Sequence, residues 1–127
     1  MQTKISNILE FPSFFEKVKA QKIPFKTSYK LVTLAREIEK HYNFYLEEFN
    51  KLINEYGETD ENGNLVPISN GNGVKIIPEK LMECQIKLEE LRNLEVDLPD
   101  VTFLPEEFES IELSPIEANS IMSFIKE

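Results

Sequence analysis

From Thr27 to Tyr56 the chain contains neither glycine nor proline, and this stretch constrains the fold more than any other. Leu31, Ala35, Ile38, Tyr42, Tyr45, Phe49, Leu52 and Tyr56 recur at intervals of four and three residues. An α-helix turns once in about 3.6 residues, so this spacing gathers all eight side chains on one face. Leu34, Phe44, Leu46 and Ile53 widen the stripe. The expectation is a single helix over 27–56, about 45 Å long at about 1.5 Å per residue. So long a stripe must be covered, which predicts an antiparallel helical hairpin, a dimer, or both. Tyr42, Tyr45 and Phe49 do not suit the seam of a strict two-stranded coiled coil, where branched aliphatics pair with leucine. They suit a broader packing face.

Gly57 is placed to end this helix in a left-handed cap. Glu58 to Gly73 is dense in Gly, Asn and Asp, with turn signals at Asn62–Gly63 and Asn72–Gly73. Residues 58–77 therefore read as a mobile connector, in which Leu65–Val66 and Val74–Ile77 are candidates for a small hairpin. Pro78 opens a second helix over 78–94 with Leu81, Cys84, Leu88 and Leu91 as its stripe and Ile86 to one side. Its closeness in sequence to the long helix favours antiparallel packing on residues 38–56. Leu94, Val96 and Leu98 alternate with acids, a strand pattern, and Val101 to Leu104 suggest a second strand. These two are expected to pair with each other or with 74–77. Short terminal helices complete the chain, one over 5–20 and one starting at Ser114–Pro115–Ile116–Glu117, where Ser114 caps and Glu117 returns the bond. Thr27 or Ser28 is the expected cap of the long helix. The fold class is mainly α with a small β element, α+β, in a single compact domain over 1–127.

The formal net charge is -9 and is unevenly placed. Residues 1–78 carry ten acids and ten bases, whereas 79–127 carry thirteen acids and four bases. The acidic part disfavours nucleic acid as a partner, because a phosphate backbone is met by Lys and Arg. No apolar run is long enough for a membrane span. Met1 to Glu10 lacks the basic start and apolar core of a secretory signal, and the single cysteine, Cys84, fits a reducing cytoplasm.

No constellation of chemical groups emerges. His41 is the only histidine and Cys84 the only cysteine, so zinc and iron–sulfur motifs are out of reach. A Cys–His nucleophile pair across the hairpin is conceivable, but Cys84 lies at a stripe position and reads as a small core residue. Asp60, Asn62 and Asn64 echo a calcium loop, yet the required Gly and Glu positions hold Leu65 and Gly71, so a turn with side-chain hydrogen bonds is expected. Asn70–Gly71–Asn72–Gly73 lacks the Lys–Ser/Thr pair of a phosphate loop. No catalytic residue, metal, cofactor or small-molecule substrate is expected.

Lys17, Lys19, Lys22, Lys26 and Lys30 cluster around the first connector, near Phe25 and Tyr29, while Glu106, Glu107, Glu109 and Glu112 form an acidic run. A basic patch on one copy and an acidic end on another suit a head-to-tail contact. The run Ile23–Pro24–Phe25–Lys26–Thr27–Ser28–Tyr29–Lys30–Leu31 leads into the long helix, which closes with Lys51–Leu52–Ile53–Asn54–Glu55–Tyr56–Gly57. Glu89–Glu90–Leu91, Glu95–Val96–Asp97–Leu98 and Ile111–Glu112–Leu113–Ser114–Pro115 follow. This order, from residue 20 onward, resembles a group of small proteins of no assigned activity encoded by tailed bacteriophages and prophages. The resemblance implies phage origin, in the host cytoplasm or the virion, and transfers no functional residues. The expected role is non-enzymatic, through protein contacts in virion assembly or as an accessory factor, with a second copy among the candidate partners. An acidic inhibitor of a host defence or nucleic-acid-binding protein is the alternative.

Overall fold

The computed structural model describes residues 1–68 and 73–125. The fold is mixed α+β, with a 32-residue helix, shorter helices and one two-stranded antiparallel sheet. In chain order the elements are β1 (Gln2–Lys4), α1 (Phe11–Val18), α2 (Phe25–Tyr56), α3 (Leu81–Arg92), β2 (Glu95–Asp97) and α4 (Pro115–Asn119). Single 3₁₀ turns occur at Ile5–Asn7, Pro78–Lys80, Pro105–Phe108 and Met122–Phe124. The chain forms two compact units, Met1–Asn43 with Glu95–Glu127, and Phe44–Leu94.

In the first unit, α2 begins at Phe25, directly after Pro24 and two residues before the expected start. The Ser28 amide bonds the Pro24 carbonyl at 3.0 Å, so the helical pattern already includes the residue after proline. Thr27 is therefore no cap. It is buried inside the first turn, and its hydroxyl is used elsewhere. The core gathers Phe11, Phe14 and Val18 of α1, Leu31, Leu34 and Ile38 of α2, and Phe103, Phe108, Ile121 and Phe124 from the C-terminal part. Phe14 and Phe108 meet edge-on at 6.0 Å, Phe11 and Phe124 at 6.4 Å, and Phe103 and Phe108 lie 5.1 Å apart. Each such pair adds about 0.5–1.5 kcal/mol beyond area burial.

The strand pattern at 94–104 resolves differently from its expected pairing. β2 pairs with β1, in the register Gln2↔Asp97, Thr3↔Val96 and Lys4↔Glu95. β1 reads Gln-Thr-Lys and carries no apolar alternation, so nothing in its residues advertised a strand. Phe103 instead makes a parallel bridge to Ile125, with the Phe103 amide on the Phe124 carbonyl at 2.8 Å. The helix expected over 5–20 is confined to Phe11–Val18 behind a 3₁₀ turn. α4 has the anticipated cap, with the Glu117 amide on Ser114 Oγ at 3.2 Å and the Ser114 amide on Glu117 Oε1 at 2.9 Å. It stops at Asn119, where the Ser120 hydroxyl donates to the Glu117 carbonyl at 2.6 Å, and Ile121 and Phe124 then turn into the core.

In the second unit, Phe44–Tyr56 of α2 and α3 run antiparallel. Phe49 and Ile53 line a cavity with Cys84 and Leu88, whereas Phe44, nearer the start, shares a groove with Leu91 and Leu94. The connector between the helices is held by three backbone segments in a closed ring of hydrogen bonds. The Glu58 amide bonds Lys75 O at 2.8 Å, the Lys75 amide bonds Val66 O at 2.8 Å, and the Val66 amide bonds Glu58 O at 2.9 Å. The candidate hairpin thus takes the form of a Pro67↔Val74 bridge, joined by Gly57↔Ile76 and Thr59↔Leu65. Asp60 Oδ1 accepts the Asn62 and Asn64 amides at 2.9 and 3.0 Å, which makes the calcium-like stretch a side-chain-bonded turn, with Gly63 at φ 81°. Residues 69–72, including most of the turn expected at Asn72–Gly73 and the Asn70–Gly71–Asn72 stretch, lie outside the described residues.

Gly57 is not left-handed, unlike the cap expected there. It is required by close approach, since a Cβ at this position would collide with the Ile53 carbonyl and lie 2.6 Å from Leu65 Cδ2.

Candidate protein interface

The lysines and glutamates singled out from the sequence meet largely within the chain. Glu107, half-buried, accepts the Thr27 hydroxyl at 2.8 Å, the Leu104 amide at 2.7 Å and Lys30 Nζ at 3.2 Å. Lys30 also sits 5.5 Å from the centre of the Phe103 ring. Burial alone raises the Glu107 pKa, but the Leu104 amide, the Thr27 hydroxyl and Lys30 outweigh it, so the carboxyl lies below its ordinary value. Lys17 meets Glu117 at 2.9 Å. The Ser114 amide, Lys17 and the Ser114 hydroxyl lower the Glu117 pKa to about 2. Lys19 pairs with its neighbour Glu16 at 2.9 Å. Lys22, Lys26, Glu106, Glu109 and Glu112 are exposed and make no ion pair among the described residues. The five lysines are therefore not one free patch: three are engaged by carboxylates and two remain available.

The eight stripe residues of α2 all turn inward to some degree. Leu31, Ile38, Tyr45 and Tyr56 are buried, and Ala35, Tyr42, Phe49 and Leu52 are half-buried. The Tyr56 hydroxyl is enclosed and makes no hydrogen bond of regular geometry among the described residues, with the Glu83 carboxylate beside it. Burial pushes its phenol above the ordinary value, and the nearby Glu83 and Glu55 carboxylates push it further. Burial likewise raises the Cys84 thiol, with Glu55 adding to it, which keeps the sulfur protonated. His41 contacts the Asp97 carbonyl at 3.2 Å through Nε2. His41 and Cys84 belong to different units. Among the described residues no three of His, Cys, Asp and Glu converge to hold a metal, and no helix is long and apolar enough to cross a membrane.

Two helical faces are apolar and open to solvent. On α2, Phe25 is 87% exposed and Tyr29 69%, with Val32 beside them. At about 100° per residue these three fall within about 60° of arc, opposite Leu31, Leu34 and Ile38. On α3, Met82 is 74% exposed and Ile86 55%, opposite buried Cys84 and Leu91, with Leu94 exposed just beyond the helix. α3 is thus apolar on two sides, and only one of them is covered by its own unit. In the sequence Phe25 and Tyr29 sit beside the lysines and Ile86 stands apart from the main stripe; the periodicity that builds a core does not mark the opposite arc as a face.

Comparison with protein-family models, with curated proteins and with solved structures finds no match for this chain.

Proposed function

We propose that the chain is a non-enzymatic bacteriophage protein that works through protein–protein contacts, in virion assembly or as an accessory factor, in the host cytoplasm or the virion. One observation carries the contact role. Within Phe44–Leu94, the buried hydrophobics are Tyr45, Tyr56, Cys84 and Leu91, whereas Phe44, Leu46, Leu81, Met82, Ile86 and Leu94 are exposed. A helix surface with that much uncovered apolar area is the usual mark of an interaction site. The phage assignment rests on the sequence resemblance. A photo-crosslinking residue at Met82 or Ile86, expressed during phage infection, should yield a discrete crosslinked protein, while the same residue at exposed Asn50 should not. Absence of a product at Met82, Ile86 and Phe25 alike refutes the contact role.

A second reading, an acidic inhibitor of a host nucleic-acid-binding protein, is favoured by the exposed Glu106, Glu109 and Glu112, which make no ion pair among the described residues. It requires that immobilised chain retain a basic host protein at low salt and release it as salt rises. Failure to retain one dismisses it.

A further inference from the structure

We infer that the chain docks onto a second copy of itself, the Phe25–Tyr29–Val32 face of one molecule seating on the outer face of α3 of another. This deepens the contact role proposed above and rests on it. Both faces are exposed, and both have an apolar centre of the size that one or two helical turns present. Their charges are opposite and each is of one sign. From Gln21 to Arg36 the chain carries Lys22, Lys26, Lys30 and Arg36 and no acid. Lys30 is committed to Glu107, which leaves exposed Arg36 on the same arc as Tyr29 and Val32, with exposed Lys22 and Lys26 flanking Phe25 along the chain. Around Met82 and Ile86 the charges on the same arc are Glu89 and Glu90, while Lys87 and Arg92 lie about 100° or more away around the helix.

The charge pattern also selects against like-with-like pairing. Two α3 outer faces packed antiparallel about Ile86 would set Glu83 against Glu89. Two α2 faces would set lysine against lysine. Only the mixed contact brings opposite charges together around the apolar centre. Such a contact is heterologous, so each molecule offers one half of it and the assembly need not close as a dimer. The faces are small compared with the roughly 800 Å² per partner of a standard interface, so the association is weak and concentration-dependent.

Sedimentation velocity at low salt, from about 10 µM to about 1 mM, should show the mean mass rising above the 14.8 kDa monomer and falling back as salt is added. K22E/K26E and E89K/E90K change only exposed residues without ion pairs among the described residues, and circular dichroism should show both folded like the parent. Each alone should self-associate at least about tenfold more weakly. Mixed in equal amounts, they restore opposite charge at both contacts, one with the parent residues and one with the signs reversed, so assembly that grows with concentration should return. A parent that stays monomeric, a variant that still assembles, or a mixture that stays monomeric overturns self-docking. The contact role itself falls only if the crosslinks at Met82, Ile86 and Phe25 are also absent.

Discussion

Replacing Glu107 by alanine should cost the fold about 3–4.5 kcal/mol, because one carboxylate holds three groups from two distant stretches of chain. The Thr27 hydroxyl belongs to a residue only 1% exposed, and its bond to Glu107 Oε1 is 2.8 Å. A hydrogen bond to a charged group is worth about 1.5–3 kcal/mol net, and a buried hydroxyl left without a partner loses most of that. The Leu104 amide, bonded at 2.7 Å on an exposed residue, can turn to water and contributes about 1 kcal/mol. Lys30 keeps 26% of its side chain in solvent, so its pair with Glu107 is discounted to about 0.5 kcal/mol. Urea unfolding followed by helical circular dichroism measures the sum. Glu107→Gln keeps the shape and loses the charge, and should cost less than Glu107→Ala. Thr27→Val in the Glu107→Ala background should cost less than in the parent, because its partner is already gone. The Glu107 carboxyl lies below its ordinary value in the fold, so its contribution is fully present above the unfolded value of about 4.3 and is lost as pH falls through the folded value. The stability gap between the parent and Glu107→Gln should therefore be constant near neutrality and shrink in acid. A loss under about 1 kcal/mol for Glu107→Ala, or a gap that grows in acid, refutes the assignment of Glu107 as the tie between these segments.

Glu117, lowered to about 2, should give up its contribution only between about pH 4 and 2, so melting curves of Glu117→Gln and the parent converge in that window; parallel curves would contradict it. The Tyr56 hydroxyl makes no hydrogen bond of regular geometry among the described residues, so Tyr56→Phe should raise stability by up to about 1 kcal/mol in urea unfolding, whereas an equal loss would show that it is bonded to the neighbouring Glu83 carboxylate. Gly57→Ala drives a methyl against the Ile53 carbonyl and Leu65 and should cost about 1–3 kcal/mol by the same measurement, a neutral result being the contrary one.

What could be read from the residues followed from how local the cause was. The long helix was legible because Leu31 to Tyr56 repeat their signal at eight positions along one face, and its burial follows the same arc. The α4 cap was legible because Ser114 and Glu117 satisfy each other within three residues. β1 was not, since Gln2–Lys4 becomes a strand only through its partner at Glu95–Asp97, more than ninety residues away. The start of α2 was misplaced because a hydroxyl at Thr27 looks like a cap until Glu107 is known to claim it. Gly57 was read through its conformational freedom, whereas the constraint comes from the packing of Ile53 and Leu65 around it. The charge clusters misled in the same way. Counted along the chain, Lys30 and Lys17 look available, but Glu107 and Glu117 are brought to them by the fold. The open faces of α2 and α3 were within reach of the sequence, given the wheel position opposite each core stripe.

Those open faces bear on function because the monomer's own folding does not account for them. Cys84 and Leu91 already supply the side of α3 that its unit covers, and a polar residue at Met82 or Ile86 would keep the helix and improve its solubility. Phe25 contributes nothing to the core that Leu31, Leu34 and Ile38 build, and it stands in water beside two lysines without ion pairs among the described residues. Apolar side chains placed where folding does not use them gain free energy only when something else covers them. The sign of the charges beside each face then decides what can do so: an acidic apolar surface for the α2 face, a basic one for α3. One chain carries both, which is the ground on which docking of a second copy is proposed.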